Sequence, residues 1–83
     1  MYIVTGYNAY SGIVETVEAK SAKDALKKIM KEHSISGSIM KLTTQKNLEL
    51  LDKGIQPYTM IQFTVENEDS FHSPASMSNY LIQ

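Results

Sequence analysis

Apolar and polar positions along this chain of 83 residues follow two different periods. The cleanest alternation is "YTMIQFTVE", with Ile61, Phe63 and Val65 on one side and Met60, Gln62, Thr64 and Glu66 on the other. A period of two is that of a strand with one covered and one wetter face. "MYIVTGY" is rich in strand formers, and "GIVETVEA" follows it across a loop whose Asn8, Ser11 and Gly12 favour turns. Together they predict an antiparallel hairpin. The second arm alternates imperfectly, because Ile13, Val17 and Ala19 share a face with Glu15 while Val14 points the other way. A bulge near Glu15, or two partly covered faces, would account for this.

Over residues 17–34 the period lengthens. Ala22, Ala25, Leu26, Ile29 and Met30 recur at the spacing of one face of an amphipathic helix. Ser21 with Asp24 is a capping-box pattern, and Gly37 stands past the end as a stop signal. "SIMKLTT" predicts a third strand, with Met40 and Leu42 on one side and Ile39 on the other. "QKNLELLDKG" predicts a short helix capped by Asn47, turning Leu48 and Leu51 inward and ended by Gly54. Pro57 then holds Gln56 out of helical conformation and turns the chain toward the last strand. The order β-β-α-β-(short α)-β predicts an α+β fold, a small antiparallel sheet of about four strands with one main helix packed on one face. Leu26 and Ile29 are expected to meet Phe63 and Val65 in its core.

After Glu66 the composition changes. "NEDSFHSPASMSNYLIQ" is acidic, then serine-rich around Pro74, and it closes on an apolar clump. This divides the chain into a domain at 1–66 and a polar tail at 67–83 with an apolar docking end. Ordering such a tail costs roughly 1–2 kcal/mol of backbone entropy per residue. It is therefore expected to dock through Met77, Tyr80, Leu81 and Ile82, on the outer sheet face near Met60 or on a second copy of the chain.

Charge narrows the functions open to such a domain. The net charge is −1, and all eight basic residues are lysine. There is thus no general attraction to nucleic acid or membrane, and no arginine to read phosphate or guanine bidentately. Lysine in place of arginine marks an AT-rich coding sequence, pointing to a low-GC bacterium or to a phage or mobile element within one. Lys20, Lys23, Lys27 and Lys31 line one side of the predicted helix. Opposite an apolar stripe this reads as the solvated side of a surface helix. The alternative is a nucleic-acid-binding surface.

The remaining chemistry is sparse. Without cysteine there is neither a disulfide nor a thiolate metal site, which fits a cytoplasmic setting. No apolar run reaches the ~18 residues of a membrane span, and "MYIVTGYNAY" lacks the regions of a signal peptide. His33 and His72 lie far apart in the sequence, so no metal and no cofactor is expected. With no HExxH, glycine-rich phosphate loop or GxSxG, the chain reads as a non-enzyme. Tyr7 and Tyr10 flank the hairpin loop, away from the predicted core, and tyrosine is favoured at interfaces. The candidate partner-binding residues are Tyr7, Tyr10, Met60, Met77, Tyr80, Leu81 and Ile82. The expectation is a protein-binding module, a regulator or inhibitor of a host protein, whose partner is a protein and includes a second copy of itself in a homodimer. The alternative is a nucleic-acid-binding accessory protein using Lys20, Lys23, Lys27 and Lys31.

Overall fold

Five strands form one antiparallel sheet in the computed structural model, which describes residues 1–68 and 77–83. His72 and Pro74 lie outside the described residues. Strands β1 (Tyr2–Gly6) and β2 (Val14–Val17) make the predicted hairpin. With β3 (Ile39–Lys41), β4 (Ile61–Asn67) and β5 (Met77–Ile82) they lie in the order β2-β1-β4-β5-β3. The fold class is the predicted α+β, with one strand more than the alternation alone indicates.

That strand is the apolar end of the chain. β5 is interior: Tyr80 pairs with Phe63 of β4 on one side and with Lys41 of β3 on the other. Residues 77–82 are thus part of the sheet, not the end of a tail docked on its surface. Two hydrogen-bonded ladders and the burial of Tyr80, Leu81 and Ile82 offset the entropy of ordering them.

The β1–β2 ladder runs unbroken from Tyr2↔Val17 to Thr5↔Val14, so no bulge occurs at Glu15. Glu15 sits opposite Val4, on the side of the main helix. The hairpin closes through a short 3-10 turn, Asn8–Tyr10. Gly6 makes that turn possible, because a Cβ there would collide with the Tyr10 carbonyl oxygen. Tyr10 was expected away from the core. The folded-back turn instead lays its ring on Phe63, with centroids 5.9 Å apart.

Helix α1 (Ala22–Glu32) starts as its sequence predicts: the Ser21 hydroxyl oxygen accepts from the Asp24 N–H at 3.2 Å. Ala25, Leu26, Ile29 and Met30 are its buried face. They join Val4, Phe63, Val65, Tyr80 and Ile82 in one core cluster, where Leu26 and Phe63 are completely buried. The stop is not Gly37. Ser34 takes the left-handed conformation at φ 56°, its N–H donates to Lys31 O at 3.3 Å, and the Ile35 N–H donates to Met30 O at 2.8 Å. This is a Schellman motif with serine where glycine is usual, and buried Ile35 supplies its apolar contact.

Helix α2 (Thr44–Asp52) begins earlier than expected. Thr43, not Asn47, caps it, the Thr43 hydroxyl accepting from the Lys46 N–H at 3.1 Å. Its inward residue is Leu50, while Leu48 and Leu51 are exposed. The sheet explains this choice. Leu81 projects from β5 on the face opposite Tyr80 and Ile82, and Leu50 and Leu81 are both buried yet outside the core cluster. β3 and β4 run parallel on either side of β5. The connection from β3 to β4 contains α2, and the right-handed rule for crossovers between parallel strands sets it over the face opposite α1, the face from which Leu81 projects.

Candidate functional site

The sheet face away from α1 is the larger candidate surface. Strand alternation places Ile3 and Thr5 of β1, Val14 and Thr16 of β2, Gln62, Thr64 and Glu66 of β4, and Met77 of β5 there. Register lines them up in rows across the sheet: Val14, Thr5, Thr64 and Asn79 in one, Thr16, Ile3, Glu66 and Met77 in the next. Glu66 is the single charged residue in these rows. Val14 is 64% exposed and Met77 52%. Tyr7 follows β1 onto this face, held by its N–H donating to Gln62 O at 3.1 Å, with its hydroxyl 3.5 Å from Thr64 Oγ1.

Of the residues expected to bind a partner, the structure brings Tyr7 and Met77 onto this face. Tyr10 goes to the other side, against Phe63. Met60 is half-buried just before β4, at the end of the 3-10 turn Pro57–Thr59, which Asn8 ties down by donating from Nδ2 to Tyr58 O at 2.7 Å. Tyr80 and Ile82 are core and Leu81 is buried, so all three are consumed by the domain's own packing. Val14 was missed as a surface residue of note. Its signal was present in the odd position it holds among Ile13, Val17 and Ala19.

The lysines border two hollows. Lys20, Lys27 and Lys28 border one at the start of α1 together with Glu18 and Asp24, and Lys28 Nζ donates to Glu18 O at 2.6 Å. Lys27, shared between the two, joins Lys23 and Lys31 along a groove of about 470 Å³ between α1 and β3, floored by Met30, Ile35 and Ile39. Among the described residues, no acidic side chain lines this groove.

At the far end of α1, His33 Nε2 lies 2.5 Å from Glu15 Oε2. This pair joins the helix C-terminus to β2 and satisfies the carboxylate that broke the alternation of the hairpin arm. Glu32 stands close by, and one ligand atom from each of the three lies within 4.8 Å of the others. All three are at or near the surface, and the contact with Glu15 already engages the histidine Nε2.

No family model, no curated protein and no solved structure matches the chain. Among the described residues, no helix is long and apolar enough to cross a membrane, and no buried side-chain polar atom is left without a partner.

Proposed function

We propose that this chain is a non-enzymatic protein-binding module whose contact surface is the sheet face away from α1. The observation that carries the reading is the low charge of this face: in its two rows of described residues Glu66 alone is charged, and exposed Val14 and Met77 stand at its two sides with Tyr7 at its end. Depletion of charge marks the core of a protein contact surface. The all-lysine basic set fits an AT-rich coding sequence, and for a chain encoded by a phage or mobile element the natural role of such a module is regulator or inhibitor of a host protein.

The first partner to test is a second copy. A face with one charge can stack on its own copy with little like-charge repulsion. Sedimentation equilibrium tests this. The expected result is a concentration-dependent dimer that Val14→Lys dissociates without changing the fold. A wild type that stays monomeric up to millimolar concentration overturns self-association.

A further inference from the structure

β3 is a sheet edge, and its free side opens into the lysine groove. Ser38 exchanges both backbone hydrogen bonds with Gln83, and the Leu42 N–H donates to Asn79 O. Residues 38, 40 and 42 therefore turn their backbone groups toward β5. By the same alternation, the N–H and C=O of Ile39 and Lys41 point away from the sheet. Among the described residues, no hydrogen bond from another element reaches them.

Above this edge stand Lys23, Lys27 and Lys31, one helical turn apart. Four residues of helix advance about 6 Å, and two residues of strand advance nearly 7 Å. A strand laid along β3 with carboxylates at alternate positions would thus meet successive lysines. Its intervening side chains would point to the opposite sheet face. The three lysines make no ion pair among the described residues. Lys41 adds a fourth cation on the same side, opposite Tyr80.

We propose that this groove receives an acidic, extended segment of another protein, which pairs with β3 as an added strand and places its carboxylates under Lys23, Lys27 and Lys31. Backbone pairing at a sheet edge with side-chain selection above it is an established way of binding peptides. Charge complementarity selects the acidic segment. Among the described residues no aromatic side chain on which a base could stack lines the groove, and the chain has no arginine, so the same cations suit a peptide better than a nucleic acid. The proposal concerns a different surface from the open sheet face and stands independently of it.

The probe is a synthetic peptide of alternating Glu and Val, about ten residues long, with two comparators: the same peptide N-methylated at alternate amides, and an oligo-dT of equal charge. Titration is followed by calorimetry and by amide hydrogen exchange. The peptide is expected to bind and to slow exchange at Ile39 and Lys41. N-methylation, and the triple variant Lys23→Gln, Lys27→Gln, Lys31→Gln, should each weaken it by about tenfold or more. Oligo-dT should bind more weakly and leave those amides unchanged. Absence of peptide binding at millimolar concentration overturns the proposal. So does binding that ignores N-methylation, which would make the lysines a diffuse polyanion surface. Tighter binding of oligo-dT would assign the groove to nucleic acid instead.

Discussion

Gly37 lies directly against Gln83, where β3 is about to begin and β5 has just ended. A Cβ at position 37 would stand 2.7 Å from the Gln83 carbonyl oxygen and equally close to Ile82 Cγ2, and the φ of 140° is one that side chains rarely allow. Strain and collision therefore coincide. Gly37→Ala is expected to destabilise the domain by at least about 2 kcal/mol. Urea unfolding measures it, and a midpoint equal to the wild type's would show that the β3–β5 junction is not held this closely.

Ser34 predicts the opposite sign. It occupies the left-handed position of the α1 stop at φ 56°, and among the described residues its side chain makes no hydrogen bond that would favour serine there. Glycine removes the penalty of that conformation and returns part of the gain as unfolded-state entropy. Ser34→Gly should stabilise by about 0.5–1 kcal/mol. A destabilised variant would mean that helix α1 ends elsewhere in solution.

The two candidate caps of α2 can be separated by one comparison. Thr43→Ala removes the acceptor for the Lys46 N–H and should cost about 1 kcal/mol. Asn47→Ala lies inside the helix, where alanine is the better helix former, and should be neutral or slightly stabilising. Thermal melts of both variants give the order, and the reverse order would restore the shorter helix that begins at Asn47.

Deleting residues 77–83 should abolish cooperative unfolding. β5 bridges β4 and β3, and without it β3 loses its only strand partner among the described residues. The loss of Tyr80, Leu81 and Ile82 alone, at roughly 1.5–3 kcal/mol for each buried large side chain, equals or exceeds the whole stability of a domain of about 5 kcal/mol. Circular dichroism against temperature reads the result. A truncated chain that melts cooperatively near the wild-type temperature would show the end of the chain to be dispensable.

The sequence by itself determined the elements whose signals are local. The Ser21–Asp24 cap, the stripe through Leu26 and Ile29, and the alternation of β4 each depend on residues within a few positions of one another, and backbone geometry turns such spacings directly into structure. The candidate surfaces were half legible in the same way: Tyr7, Met77 and the lysine line could be named, but not the faces they would share. Only the tertiary structure decided the rest. Residues 77–82 carry Ser78 and Asn79 ahead of Tyr80, so no single-faced pattern marks them, and they become a strand because β4 and β3 offer ladders from far along the chain. α2 turned Leu50 inward rather than Leu48 and Leu51 because the crossover carries it over the face from which Leu81 projects. Lys23, Lys27 and Lys31 came to border a groove because α1 lies across the sheet beside an edge strand that its own sequence does not place. In each case the deciding contact is nonlocal, and its partner cannot be read from the spacing of neighbouring residues.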